Sequence, residues 1–107
     1  MHKILHGAFL IANLSLLVMF ASYAAGNPEQ GKLKADACLG CHGIPSYTNV
    51  YPTFHVPKLG GQYGDYIATA LQAYQTGGRS HPTMQAQAAK LSAEDMADIG
   101  AYFESLQ

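Results

Sequence analysis

The sequence predicts an all-α domain, and three observations predict it. Apolar residues recur at helical spacing in two stretches, 63–76 and 93–106. Capping residues stand before the first and the last candidate helix. No run in the chain alternates apolar and polar residues as a half-buried strand would. With 107 residues and a net charge of −1, one small domain is expected. The charge balance offers no electrostatic footprint for nucleic acid.

Residues 1–24 stand apart. "MHKILHGAF" carries Lys3 and no acid, and "LIANLSLLVMF" is apolar except for Asn13 and Ser15. "ASYAAG" then supplies the small residues a signal peptidase reads, with Ser22 and Ala24 at the −3 and −1 positions. The expected division is a signal peptide over 1–24, cleaved after Ala24, and a mature domain over 25–107. An uncleaved membrane anchor is the alternative. From Ala8 to Ala25 the run only just reaches the roughly 17–25 residues needed to span a bilayer. Loss of Lys3 leaves the mature domain mildly acidic.

The spacing predicts a first helix from Pro28 to Cys41. Asn27 is a good N-cap, Pro28 suits the first turn, and Glu29 favours the positive end of the helix dipole. Gly31 inside it costs about 1 kcal/mol relative to alanine, but it permits another helix to cross closely. Residues 43–62, "GIPSYTNVYPTFHVPKLGGQ", hold three prolines and three glycines and are expected to be a loop. So long a loop is unusual in a compact domain unless it wraps something. It is also too apolar for simple disorder.

A second long helix is predicted from Tyr63 to Thr76, with Tyr63, Ile67, Ala70, Leu71 and Tyr74 on one face. "GGRSHPT" breaks it, and "MQAQAAK" can form a short helix. The last helix starts at Ser92. Asp95 takes the reciprocal capping-box position and Leu91 can staple onto Met96. Its apolar stripe is Met96, Ile99, Tyr102, Phe103 and Leu106.

The only two cysteines lie in "ACLGCHG", residues 37–43, with His42 directly behind Cys41. A redox disulfide, a zinc site and a covalent haem all use thiols at this spacing. Redox thiols sit where a strand meets a helix N-terminus, whose positive end lowers the thiolate pKa; this motif falls at a helix C-terminus. Zinc needs four ligands, and the mature chain adds only His42, His55 and His81 to the cysteines. Cys41 and His42, being adjacent, diverge by about 100° on a helix, which strains a shared zinc.

Haem meets every feature. Cys38, Cys41 and His42 at i, i+3 and i+4 share one helix face. Two thiols so placed can add to the two vinyl groups of one porphyrin edge while the imidazole reaches the iron, and C-x-x-C-H is the haem-attachment signal. Export agrees, because free thiols would otherwise oxidise outside the cytoplasm. A domain this short usually needs a stabiliser beyond its apolar core, and a disulfide closing so small a loop constrains little. A haem would supply that core, and the long loop would wrap it.

The sequence resembles the class I c-type cytochromes, and within them the small periplasmic monohaem proteins and single halves of the periplasmic dihaem proteins. The resemblance runs over Gly31–Leu106. It is carried by "GKLKADACLGCHG", "VPKLGGQYGDYIATALQAYQTGGR", "PTMQAQAAKLSAEDM" and "IGAYF". It is weakest at "SYTNVYPTFH".

The resemblance implies a small cytochrome fold with helices and a long loop around one covalent haem c. Cys38 and Cys41 would form thioethers and His42 would be the proximal iron ligand. The Pro57 carbonyl would accept from the other ring nitrogen of His42, and Leu59 would pack on the haem. Gly31 and Tyr102 would mark the crossing of the first and last helices. Ile99 and Phe103 would line the pocket, with ordinary helix–helix core the alternative for both. Arg79 would neutralise a haem propionate, or be only a solvated charge.

Met84 matches the axial methionine. Of the four methionines, Met1 and Met19 leave with the signal peptide, and Met96 belongs to the buried stripe of the last helix. His55 and His81 are expected to be surface loop histidines, with ligation of iron by one of them the alternative.

The function implied is periplasmic transfer of single electrons, with no small-molecule substrate and no catalysis. Redox proteins would be donor and acceptor, with a membrane oxidase or reductase complex among the candidates. The alternatives are a haem-bearing subunit of a larger oxidoreductase, and a haem enzyme whose sixth ligand is displaceable.

Overall fold

The computed structural model describes residues 25–106, so the signal peptide or anchor expected over 1–24 lies outside the described residues. Five helices and one short hairpin follow in the order α1 (Pro28–Lys34), α2 (Asp36–His42), β1 (Thr48–Val50), β2 (Thr53–His55), α3 (Gly64–Thr76), α4 (Pro82–Ala88) and α5 (Ala93–Ser105). No described helix is long and apolar enough to cross a membrane.

α1 begins as its sequence requires: Asn27 Oδ1 accepts from the N–H groups of Glu29 at 2.9 Å and Gln30 at 3.1 Å. The single helix expected over Pro28–Cys41 is instead two, parted at Ala35, whose φ is −85° and ψ is 1°. Neither proline nor glycine stands at Ala35. The bend accompanies packing, because Ala35 is fully buried in the core.

α5 is the spine. Its capping box is complete, with Ser92 Oγ accepting from the Asp95 N–H at 3.0 Å and Asp95 Oδ2 accepting from the Ser92 N–H at 2.9 Å. Met96, Ile99 and Phe103 from its stripe are buried with Ile67 and Leu71 of α3, Ala88 of α4 and Ala35; Leu91 packs against this cluster. Ile99 and Phe103 are each 1 % exposed, and burying such side chains contributes roughly 1.5–3 kcal/mol apiece. Tyr102 is half-buried, whereas Leu106, at the end of the predicted stripe, is exposed. Tyr63, placed on the buried face of the second long helix by its spacing, is instead the exposed N-cap of α3.

Two close crossings hold the spine. A Cβ at Gly31 would run into the Asp98 carbonyl and stand 2.8 Å from Tyr102 Cβ, so α1 meets α5 where the sequence places the contact. α3 meets α5 at Gly64 and Gly100, where a Cβ on Gly64 would lie 3.0 Å from the Gly100 carbonyl. The α1–α5 crossing is also tied by charge. Asp98, 4 % exposed, accepts from Lys34 Nζ at 2.6 Å and from the Asn27 N–H at 2.7 Å. Lys34 also pairs with Asp95 at 2.9 Å.

The segment 43–62 is not wholly loop. β1 and β2 pair antiparallel in the register Thr48↔His55, Asn49↔Phe54, Val50↔Thr53. Asn49 Nδ2 donates to the Pro52 carbonyl at 2.9 Å and Thr53 Oγ1 to the Val50 carbonyl at 2.8 Å. Strands of three residues are too short to show a period. The β-branched and aromatic content of "YTNVYPTF" is their only local trace. An isolated hairpin is marginal in water, and this one is anchored by Phe54, which meets the His81 ring edge-on at 4.6 Å.

Candidate haem site

α2 carries the whole C-x-x-C-H motif and ends on it. The Gly43 N–H closes the helix on the Leu39 carbonyl at 3.0 Å. Cys38 is half-buried, Cys41 is exposed, and both are free thiols. Burial pushes the Cys38 thiol above its ordinary pKa, because a thiolate is poorly solvated there.

His42 is held by the segment that follows the hairpin. Its Nδ1 lies 2.7 Å from the Pro57 carbonyl oxygen. A carbonyl can only accept, so Nδ1 is the donor, which in the neutral ring leaves the lone pair on Nε2. A hydrogen bond of this kind orients an imidazole and makes its other nitrogen a better metal ligand. Leu59, two residues further on, is half-buried against the core. Beside the imidazole is a cavity of about 230 Å³ lined by Leu39, His42, Ile44, Lys58, Phe103 and Leu106.

Cys38, Leu59 and Met84 all lie half-buried on the core cluster that contains Ile99 and Phe103. Ile99 and Phe103 serve as helix–helix core, and Phe103 in addition reaches the His42 cavity. Met84 stands in the first turn of α4. Arg79 is not gathered into this cluster. Its guanidinium lies 4.8 Å from the centre of the Tyr74 ring and its NH1 is 3.5 Å from the Tyr66 hydroxyl, at the surface.

The two histidines differ. His55 is exposed on β2, with Nδ1 3.3 Å from Thr48 Oγ1. His81 is not the surface loop residue expected. It is half-buried, is the N-cap of α4, and its Nδ1 accepts from the Met84 N–H at 3.4 Å. A local signal for that role exists, since His81 directly precedes Pro82 and proline favours the first helical position.

The donor set fits a covalently held haem. One short helix presents two thiols and an imidazole with a free Nε2, and a thioether stands on the same core. Cys38, Leu39, Leu59, Ala68, Tyr74 and Met84 form a half-buried apolar fringe around a core of seven residues. Among the described residues no three of His, Cys, Asp and Glu are grouped to hold a metal unaided. The zinc alternative therefore has no ligand set there.

The family model for cytochrome c matches residues 29–107. The chain belongs to the cytochrome c family. Cytochrome c4 of Pseudomonas aeruginosa is 34% identical over 105 residues, which cover 98% of this chain and 49% of that protein. Cytochrome c-554(548) of Halomonas halodenitrificans is 36% identical over 84 residues, covering 76% of this chain and 98% of that one. The crystal structure of reduced recombinant cytochrome c4 from Pseudomonas stutzeri superposes with a TM-score of 0.59 at 29% identity, covering 78% of this chain and 53% of that chain. This cytochrome thus spans about half the length of the c4 relatives and nearly the whole of c-554(548). Membership brings with it the family's mostly helical fold and a covalent haem c with iron.

Proposed function

We propose that this cytochrome is a periplasmic carrier of single electrons whose one haem is attached through Cys38 and Cys41 and ligated by His42 and Met84. When bound, the haem supplies a one-electron couple between ferric and ferrous iron. The observation that carries the proposal is the 2.7 Å bond from His42 Nδ1 to the Pro57 carbonyl. It commits one ring nitrogen to the backbone and leaves the other as a donor, directly beside the two thiols.

The remaining roles belong to the chain. Phe103, which lines the cavity beside His42, would keep water from the imidazole, with Leu59 and Ile99 packed on the same core. Burial of this kind is one lever on the potential. Met84 offers a soft thioether, which favours the ferrous state and raises the potential. Arg79, steadied on Tyr74, is the cation available to a haem propionate. An export signal over residues 1–24 would deliver the chain to the periplasm. Redox proteins there, a membrane oxidase or reductase complex among them, are the partners proposed. A carrier role without catalysis is favoured because Met84 is half-buried against the core, as a permanent sixth ligand would be.

The test is spectroscopic. The holoprotein is expected to be six-coordinate and low-spin, taking up carbon monoxide only slowly, with the weak long-wavelength sulfur-to-iron band in the ferric state. Met84→Ala should abolish that band, lower the potential and admit carbon monoxide. A wild type that binds carbon monoxide readily would instead favour an enzyme with a displaceable ligand.

A further inference from the structure

His81 joins three elements at the start of α4. Its backbone is extended, with φ −159° and ψ 105°, as an N-cap requires. Its Nδ1 accepts from the Met84 N–H at 3.4 Å, while its own N–H donates to the side chain of Gln85, the fourth helical residue, at 3.2 Å, so the cap is bonded in both directions. The ring stands edge-on to Phe54 of β2 at 4.6 Å and 88°, and to Tyr74 of α3 at 6.4 Å and 77°. The other end of α4 is held from α3 by Gln75, whose Nε2 donates to the carbonyls of Ala88 at 2.9 Å and Leu91 at 2.8 Å. The helix that bears Met84 is therefore tied at both ends, and at its N-terminal end the tie is this imidazole.

We propose that His81 is the positioning residue for Met84: it caps the Met84 amide while its ring is locked between Phe54 and Tyr74, so the thioether is presented from one place relative to the hairpin and α3. The proposal rests on Met84 being the sixth ligand. Serine or aspartate could cap the same amide, but neither could reach both aromatic rings. An imidazole does both. The unfavourable start of a seven-residue helix, too short to be stable alone, is thereby coupled to packing of the hairpin.

The experiment uses the holoprotein with His81→Ala, His81→Asn and Met84→Ala. In His81→Ala the Met84 amide should exchange about tenfold faster, the loss expected of a removed N-cap. Carbon monoxide should enter the ferrous protein about tenfold faster, since the gas binds only when the thioether has left. The long-wavelength band should persist. His81→Asn restores a good capping oxygen but not the ring between Phe54 and Tyr74. It should therefore return amide exchange most of the way to wild type while carbon monoxide entry stays faster than wild type.

Unchanged exchange and gas entry in His81→Ala would overturn the proposal, and so would full return of gas entry to the wild-type rate in His81→Asn. A spectrum lost in His81→Ala but kept in Met84→Ala would make His81 itself the ligand. A wild type without the band and indifferent to Met84→Ala would overturn the ligand assignment, while exchange at residue 84 would still decide the cap.

Discussion

The α1–α5 crossing and the α2–hairpin segment are built on opposite terms. At the crossing, buried groups complete one another: Gly31 admits the backbone of α5, and Asp98 is met by both Lys34 and Asn27. No buried side-chain polar atom among the described residues lacks a partner. In the other region Cys41, Val50 and Tyr51 are exposed, Cys38 is only half-buried, and the strands are three residues long. Cys38 and Leu39 rest on the core, His42 is held by the Pro57 carbonyl, and the hairpin is tied to α4 by Phe54 against His81. One half is closed by its own side chains. The other has the surface that a flat apolar group would complete, which explains how so small a core serves a domain of this length.

The largest test of that contrast is to remove the attachment. With Cys38 and Cys41 both replaced by alanine, holoprotein yield should collapse, and acidified acetone should extract whatever haem remains; it should extract none from the wild type. Circular dichroism of the chain made without haem should show mostly unfolded protein, because binding free energy here is folding free energy. A native-like spectrum would mean the α1–α5 half suffices alone.

Next comes the crossing itself. Gly100→Val forces branched carbons into the backbone of Gly64, and overpacking of this sort costs about 1–3 kcal/mol or more. It should lower the thermal midpoint while leaving the attached haem in place. A midpoint equal to wild type would show that the α3–α5 contact yields easily.

Acid should weaken the crossing before it reaches the attachment. The Ser92 amide, and after it Lys34, hold Asp95 down at about 2, and Lys34 with the Asn27 amide lowers Asp98 as well. Both carboxyls titrate near 4 when unfolded, so their contribution is complete above that value and is lost as pH falls through the folded pKa values. Lys34 is raised by the same partners. Its share is present below the ordinary lysine range and lost only when pH rises beyond it. Asp98→Asn should flatten the loss of stability as pH falls below about 4. An acid limb identical to wild type would assign that limb to other groups.

The smallest effect is expected at His55→Ala, which removes one exposed contact to Thr48. Stability should stay within about 0.5 kcal/mol of wild type, with the haem spectrum unchanged.

What the sequence determined by itself was local. The C-x-x-C-H spacing, the Asn27 cap, the Ser92–Asp95 box and the stripe through Ile99 and Phe103 involve residues a few positions apart, whose geometry any helix would impose. The Gly31–Tyr102 contact is long-range, and it was legible only through resemblance to a family. Tertiary structure alone decided the bend at Ala35, the second crossing at Gly64 and Gly100, the pairing of Asp98 with Lys34, and the hairpin that carries Phe54 to His81. Each depends on where a distant segment lies. Ala35 has no breaker beside it, three-residue strands show no period, and an acid next to an apolar stripe reads as solvated until a lysine from another helix reaches it. Such contacts form only after the chain has brought remote residues together, and so leave no local pattern to read.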